Sequence, residues 1–160
     1  MKRVELKSEL FIYDEPSHLP AGDLRLLEKA REAAASAYSP YSHFSVGAAV
    51  LLDNGKVVTG NNQENAAYPS GLCAERVAAF AASSQFPGVA FKAIAITCRS
   101  AKGPLKEPVT PCGACRQVLM EYESRFKKNI RIILASEEGK VFLFESMDTL
   151  LPLAFTSRLL

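Results

Sequence analysis

This chain lacks several features that mark particular classes of protein. Its 160 residues contain no apolar run long enough to span a bilayer, and the longest are segments such as VGAAVLL at 46–52. The first ten residues, MKRVELKSEL, carry charges every few positions in place of an apolar signal core. Low-complexity tracts, internal repeats and interdomain linkers are missing too. These absences predict a cytoplasmic protein with no membrane partner.

Clusters of positive charge are also missing. Lysine and arginine together number 19 against 17 acidic residues, which gives a formal net charge of +2, and no basic run is longer than two residues. Surfaces that bind nucleic acid need clustered cations, so we expect no nucleic-acid partner. The composition is that of an ordinary globular protein, 48% hydrophobic and 22% charged, and it predicts one domain.

The hydrophobic pattern predicts short strands alternating with helices. Residues 3–13 alternate as a strand would, and Asp23 is placed to cap a helix that runs to about Tyr38. Asp53-Asn54-Gly55 predicts a hairpin turn between strands at 44–52 and 56–60. A helix is then predicted from near Leu72, followed by a strand at 91–98. The next helix runs from Pro111 to Phe126 and is capped by Thr110. The chain is predicted to end with the strands IRIILA and VFLF and a short helix in SMDTLLP. This alternation favours an α/β layer structure.

The four cysteines are the first candidates for chemistry. In a reducing compartment they are metal ligands, reactive thiols or core residues before they are disulfides. Cys112 and Cys115 form a C-x-x-C pair at one predicted helix start, and Cys73 stands at another, where the helix dipole favours thiolates. Cys98 ends a strand-like run, as a buried residue would.

The spacing of possible ligands leaves two interpretations of a zinc site. A closed structural site would need a second C-x-x-C, a pair of histidines or the fourth cysteine, and His18 and His43 both lie in loop-like contexts. Three cysteines alone would leave one coordination position for water. Glu75, two residues after Cys73, could then exchange protons with that water, although a glutamate in a first helical turn can also simply complement the helix dipole.

Four ordered segments extend the pattern well beyond the metal motifs. They are YSPYSHFSVGAAV at 38–50, GNNQENAAYPSGLCAER at 60–76, TPCGACRQV at 110–118 and LLPLAF at 150–155. Together they resemble the zinc-dependent cytidine deaminases that act on free nucleosides. The resemblance implies a three-layer α/β/α arrangement, a mixed five-stranded sheet flanked by helices. It also implies a single deaminase domain over residues 23–160. Residues 1–22 lie outside the shared pattern, and their alternation favours an added edge strand or an arm over a neighbour.

The resemblance also implies an activity, a cofactor and a catalytic group. The activity is hydrolytic deamination of cytidine and 2′-deoxycytidine to the uridines with release of ammonia, in pyrimidine salvage. One Zn²⁺ per subunit would be held by Cys73, Cys112 and Cys115, and Glu75 would shuttle protons for a zinc-activated water. Arg76 would donate to the ligand sulfurs and withdraw negative charge.

Further positions take their implied roles from the same resemblance. Phe44 would pack on the pyrimidine, Asn62 and Glu64 would bind the ribose 3′-hydroxyl, the Ala74 N–H would bind the ring O2, and the Thr110 carbonyl would hold the departing ammonia. A homotetramer is expected, and its neighbouring subunit would contribute to each pocket the residues Ala66, Tyr68 and Phe155. The apolar tail at 150–160 favours burial against such a partner.

Three other functions stay open at this point. They are deamination of cytosine within nucleic acid, deamination of a blasticidin-type antibiotic, and a zinc-stabilised interaction module without catalysis. A carboxylate at Glu64 would repel a 3′-phosphate, which argues against a polynucleotide substrate. The NNQEN segment makes the antibiotic less favoured, and a non-catalytic module predicts that Cys98 closes the metal site.

Overall fold

The computed structural model describes residues 1–157, so the last three residues of the apolar tail lie outside the described part. Three helices form, namely α1 (Ala21–Ala34), α2 (Ala74–Gln85) and α3 (Gly113–Phe126). The strands are β1 (Phe11–Tyr13), β2 (Phe44–Leu52), β3 (Val57–Asn61), β4 (Phe91–Ser100), β5 (Arg131–Ala135) and β6 (Val141–Phe144). The predicted carboxyl-terminal helix is a single 3-10 turn at Met147–Thr149.

All six strands belong to one mixed sheet. Their order is β1-β6-β5-β4-β2-β3, and every neighbouring pair is antiparallel except β4 with β5. The mixed sheet is therefore confirmed, but the strand count is six and not five. The difference is β1, which pairs with β6 at positions 141–143 and so becomes an edge strand of the sheet itself.

Helices cover both faces of the sheet, which confirms the α/β/α layers. Side chains of a strand alternate between faces, so adjacent residues such as Ala48 and Ala49 enter different cores. Leu27 and Ala30 of α1 pack on one face, while Ala78 of α2 and Leu119 of α3 pack on the other. The two helices that start with cysteines therefore share a layer.

Two predictions at the amino-terminal side were wrong in detail. The strand expected over 3–13 is reduced to Phe11–Tyr13, and residues 1–10 are exposed without regular structure. Asp23 is not a helix cap, since α1 begins at Ala21 after Pro20 and ends at Ala34. Its side chain is buried and forms an ion pair with Arg131 of β5 at 3.1 Å, so the carboxylate joins α1 to the sheet.

The starts of α2 and α3 differ slightly from their predicted positions. Cys73 and Cys112 themselves occupy the N-cap positions, with extended backbone angles, so the helices begin one or more residues later than expected. An N-cap residue stands just outside the helix, where its side chain can reach past the helix end. Both thiols are therefore available to a group that lies between the two helix starts.

The height of α2 above the sheet is set by Gly60 of β3. A β-carbon added at Gly60 would lie 2.4 Å from the backbone nitrogen of Ala78 and 2.8 Å from the carbonyl oxygen of Ala74. Only a glycine allows this close approach, so the start of α2 is held directly over β3. Within residues 1–157, none of the helices combines the length and the apolar character needed to cross a bilayer.

Candidate active site

Three cysteine sulfurs meet between the two helix starts. The Sγ atoms of Cys73, Cys112 and Cys115 all lie within 4.8 Å of one another, with 3.9 Å between the first two and 3.5 Å between the last two. Zn–S bonds of about 2.3 Å in tetrahedral geometry place sulfurs about 3.8 Å apart. The spacing and the soft donor set therefore fit a zinc ion.

Arg76 lies against this cluster. Its Nη2 donates to the Cys73 sulfur at 3.7 Å, and within the described residues its buried Nε has no hydrogen-bond partner. Hydrogen bonds from Cys115 and Arg76 lower the pKa of Cys73 to about 5 despite its partial burial. The hydrogen bond to Cys73, together with burial, raises the pKa of Cys115. Cys73 therefore ionises more readily than Cys115. A bound metal would favour the thiolate form of every cysteine that coordinates it.

Cys98 lies away from this cluster. Its side chain is fully buried in β4, where the strand pairs with Val46 of β2. Burial raises the pKa of the Cys98 thiol to about 11, so it stays protonated at neutral pH. The position matches the core residue predicted from its strand context, and the cluster that could hold a metal does not include it.

Glu75 lies in the first turn of α2, two residues after the Cys73 cap. Its carboxyl group is buried, and burial raises its pKa, with a further contribution from negative charge at Cys73. A carboxyl group whose pKa is raised toward neutrality can both accept and donate a proton. The electrostatic environment of Glu75 therefore suits acid–base chemistry better than a purely structural role.

A cavity of about 750 Å³ opens onto the three-cysteine cluster. Of the residues singled out from the sequence, it is lined by Phe44, Asn62, Glu64, Tyr68, Cys73, Glu75, Arg76, Thr110 and Cys112. Ala74 is fully buried at the start of α2 and does not line it. Ala66 and Phe155 are exposed and do not line it either.

Two polar side chains on one wall are held in fixed orientations. The Asn62 amide accepts from the Val46 N–H at 2.7 Å and donates to the Phe44 carbonyl at 2.9 Å. One Glu64 oxygen accepts from the backbone N–H groups of Tyr41 and Ser42. Hydrogen bonds, chiefly from the Ser42 side chain, lower the pKa of Glu64. The wall thus presents a fixed amide and an ionised carboxylate.

Sequence reasoning missed the apolar part of the lining and one arginine. Val46 and Ile96 line the cavity from the sheet, yet in sequence they are ordinary strand residues. Arg116 donates from Nε to the Pro111 carbonyl at 2.8 Å and from Nη2 to the Thr110 hydroxyl at 3.2 Å. A cation in the first turn of a helix opposes the helix dipole, which was the available signal that Arg116 has another role.

Arg116 also joins the cavity wall to the end of the chain. Its Nη1 donates to the Leu150 carbonyl at 2.9 Å, and the adjacent Gln117 donates from Nε2 to the Phe155 carbonyl at 2.9 Å. The backbone of the 150–155 segment is therefore fixed to α3, while the Phe155 side chain stays exposed.

Comparison with known proteins identifies the family. A family profile described as the cytidine and deoxycytidylate deaminase zinc-binding region matches residues 21–130. A cytidine deaminase of Halalkalibacterium halodurans is 40% identical over 134 residues, which cover 82% of this chain and 92% of the relative. A cytidine deaminase of Mycobacterium tuberculosis is 45% identical over 105 residues, or 65% of this chain and 74% of that one.

Solved structures agree with the sequence comparisons. The 1.6 Å crystal structure of cytidine deaminase from Burkholderia pseudomallei superposes with a TM-score of 0.71 at 42% identity, covering 82% of this chain and 97% of the other. The crystal structure of cytidine deaminase from Mycobacterium tuberculosis gives a TM-score of 0.63 at 39% identity, with coverage of 82% and 94%. With its three clustered cysteines and its fold, this chain belongs to the zinc-binding cytidine and deoxycytidylate deaminase family.

Proposed function

We propose that the protein hydrolyses cytidine and 2′-deoxycytidine to uridine and 2′-deoxyuridine, with release of ammonia. The observation that carries this proposal is the meeting of three thiols beside a cavity that is lined by two of them, Cys73 and Cys112, and by the buried Glu75. The relatives at 40% and 45% identity are named cytidine deaminases, which supports the same substrate class.

The chemistry divides between the metal and the protein. A zinc ion held by Cys73, Cys112 and Cys115 would supply a water of lowered pKa as the nucleophile for C4 of the pyrimidine. Glu75 takes one proton from that water and delivers it to N3 of the ring. It then takes the second proton from the new C4 hydroxyl group and delivers it to the amine, which leaves as ammonia when its bond to C4 breaks. Burial keeps this carboxyl group out of bulk water and raises its pKa, which makes it a stronger base toward the attacking water.

The cavity walls supply positions for the rest of the substrate. We place the pyrimidine against Phe44, and the ribose 3′-hydroxyl at Asn62 and Glu64. The first N–H groups of a helix lack acceptors within it, so we assign the ring O2 to the Ala74 N–H at the start of α2, although Ala74 does not line the cavity of the single chain. The Thr110 carbonyl is placed at the departing ammonia. A 3′-phosphate would meet the ionised Glu64, so free nucleosides are favoured over polynucleotides.

The test measures ammonia release from four substrates. The zinc-loaded protein is incubated separately with cytidine, 2′-deoxycytidine, a cytosine-containing oligonucleotide and blasticidin S. Ammonia is expected from the first two. Glu75→Gln should lower kcat by about 10²- to 10⁴-fold or more, because it removes the proton carrier and preserves the side-chain volume. Zinc content is measured on the same samples and should stay at one ion per chain.

Glu121→Gln is the matched control, since Glu121 is an exposed residue of α3 outside the cavity. It should retain the wild-type rate. Ammonia only from the oligonucleotide, or only from the antibiotic, would replace the proposed substrate by that one. Release of ammonia from none of the four by the zinc-loaded protein would favour a non-catalytic zinc module.

The proposal extends to assembly, location and domain organisation. We propose a homotetramer in which Ala66, Tyr68 and Phe155 complete a neighbouring pocket. In the single chain 76% of Tyr68 and 58% of Phe155 are exposed, which supports contact with a partner.

Thiol ligands that must stay reduced favour the cytoplasm, where the reaction would serve pyrimidine salvage. Residues 23–160 form the proposed deaminase domain and 1–22 its extension, so the boundary falls in the first turn of α1.

A further inference from the structure

The amino-terminal arm, residues 1–10, forms neither helix nor strand. All ten residues are exposed, including Val4 at 68%, Leu6 at 58% and Leu10 at 39%. The hydroxyl of Ser8 donates to the Thr149 carbonyl at 3.0 Å, which fixes the arm to the body where it joins β1. The arm therefore projects as exposed, partly apolar chain from the end of the sheet.

The arm continues an edge strand whose outer side is open. β1 stands at the end of the strand order, so within residues 1–157 only one of its two sides has a strand partner. An open edge presents unpaired N–H and C=O groups to any other strand that reaches it. This edge carries none of the prolines or bulges that usually prevent such pairing.

In extended conformation the arm has one apolar and one charged face. Successive side chains of a strand point to opposite sides, so Val4, Leu6 and Leu10 share one face, which also carries Ser8 and, at its end, Lys2. Arg3, Glu5, Lys7 and Glu9 occupy the other face, with the sign of the charge alternating along it. Such a face discriminates sharply between possible pairing registers.

We propose that the arms of two copies of this chain pair as antiparallel strands centred on Leu6. Arg3 then lies opposite Glu9 of the partner subunit, and Glu5 lies opposite Lys7 of the partner subunit. Two-fold symmetry repeats both pairs, so every charge on the face meets an opposite charge. Leu6 lies opposite its own counterpart, and the paired strands continue into β1 of each copy.

The neighbouring antiparallel registers of the same two strands bring like charges together. A slip of two residues one way places Arg3 opposite Lys7 and Glu5 opposite itself, and the opposite slip places Glu5 opposite Glu9 and Lys7 opposite itself. Parallel pairing in register places every charge opposite itself. A slip of one residue would set charged residues against apolar ones. The charge pattern therefore selects the Leu6-centred antiparallel pair among these arrangements.

The interaction is expected to be modest on its own. Opposite-charge pairs across strands contribute about 0.2–1 kcal/mol each, and an isolated two-stranded ribbon is marginal in water. A covalent trap is therefore the appropriate measurement. The full-length, zinc-loaded Leu6→Cys variant is exposed to oxidised glutathione, and disulfide-linked dimers are followed on non-reducing gels. Wild-type protein reports any cross-linking through the native cysteines.

Leu10→Cys is the matched control. In the proposed register the two copies of residue 10 lie about 27 Å apart along the ribbon, since each residue rises about 3.4 Å. Leu6→Cys should cross-link at least about tenfold faster than Leu10→Cys, because pairing raises the effective concentration of its thiol alone. Equal rates would show an unpaired mobile arm and would overturn the proposal.

Charge reversal in the Leu6→Cys background tests the register. Arg3→Glu should slow cross-linking, since it creates two like-charge pairs, and adding Glu9→Arg should restore the rate by re-forming both pairs with reversed sign. Failure of the second substitution to restore the rate would also overturn the proposal. None of these residues lines the cavity, so the cytidine deamination rate of each variant confirms that it is folded.

Discussion

At the scale of single residues, the main electrostatic feature of the site is the negative charge of the three cysteine thiolates and the cations that balance it. Three thiolates on one divalent cation leave a net negative centre, which weakens the cation as an electrophile. Arg76 is the cation that contacts a ligand sulfur, at 3.7 Å from Cys73. Its guanidinium also helps to lower the pKa of that thiol. The proposed role of Arg76 is therefore to position the ligand sulfur and withdraw its negative charge, and that of Glu75 is to transfer protons.

Arg76→Gln is expected to lower kcat by about 10- to 100-fold, the usual cost of removing a partner of a metal ligand. The remaining thiolate charge would then be compensated only by the metal. The measurement is steady-state deamination of cytidine together with zinc content per chain. Arg125→Gln is the control, since Arg125 is exposed near the far end of α3. Unchanged kcat in Arg76→Gln would show that the contact with sulfur has no electrostatic role.

The four cysteines are expected to separate into two groups by zinc content. Cys98→Ala should retain one zinc per chain and cost only about 1 kcal/mol of unfolding free energy, as small changes in a core do. Cys115→Ala should lose most of its zinc after desalting, because only two thiol ligands remain. Metal analysis and thermal unfolding of both variants provide the check. Loss of zinc from Cys98→Ala would support the closed four-cysteine site.

At the scale of elements, two helix starts determine where the ligands meet. The local signals were sufficient to predict both starts to within a few residues, because cysteines, prolines and the beginning of the helical hydrophobic period occur close together in the sequence there. Cys73 and Cys112 are the N-caps of α2 and α3. Since both helices pack on one face of the sheet, their N-caps approach each other. The resemblance supplied the pairing of these helix starts, which the sequence pattern alone left open.

Features that depend on contacts distant in sequence were not predictable in the same way. Asp23 matches a helix cap locally, but its carboxylate pairs with Arg131, which is more than a hundred residues away. Residues 3–10 of the arm alternate as a strand does, but within residues 1–157 no other strand pairs with them. Arg116 is anchored to Leu150, a partner that becomes visible only in the folded chain. Local patterns therefore predicted elements, and tertiary contacts decided their ends and their side-chain partners.

The close approach of α2 to β3 gives a prediction at this scale. Gly60→Ala is expected to lower the unfolding free energy by about 1–3 kcal/mol or more, because its β-carbon would lie 2.4 Å from the Ala78 nitrogen and backbone must move. That movement displaces the helix that carries Cys73 and Glu75, so zinc affinity and kcat should fall as well. Denaturant unfolding and zinc competition with a chelator measure both effects.

Gly22→Ala is the control for this substitution. Gly22 lies in α1, and an added β-carbon has no atom within 4 Å, so the change should be neutral or stabilise the helix by up to about 1 kcal/mol. If Gly60→Ala unfolded at the same denaturant concentration as wild type, α2 would have room to move away from β3 without consequence for the site.

At the scale of the whole molecule, the single chain has exposed aromatic residues that the proposed homotetramer would cover. Tyr68 lines the cavity and is 76% exposed, and Phe155 does not line it but lies on a segment fixed to α3 by Gln117. A substrate bound at Glu75 in an isolated subunit would remain open to water beside Tyr68. Completion by a neighbouring subunit would exclude this water, which strengthens electrostatic interactions within the site.

Complementation between two impaired variants tests this shared site. Glu75→Gln inactivates the subunit that holds the substrate, and Phe155→Ala removes the side chain donated to a neighbour. In hybrids formed by coexpression in equal amounts, some sites combine an intact Glu75 from one variant with an intact Phe155 from the other. Random assembly makes this about a quarter of all sites, so activity should rise above the mean of the two separate variants. The control pairs Glu75→Gln with Phe44→Ala, whose residues lie in the cavity of one chain and cannot complement each other. If the first mixture, like the control, had only the mean activity of its own two parent variants, each subunit would complete its own site.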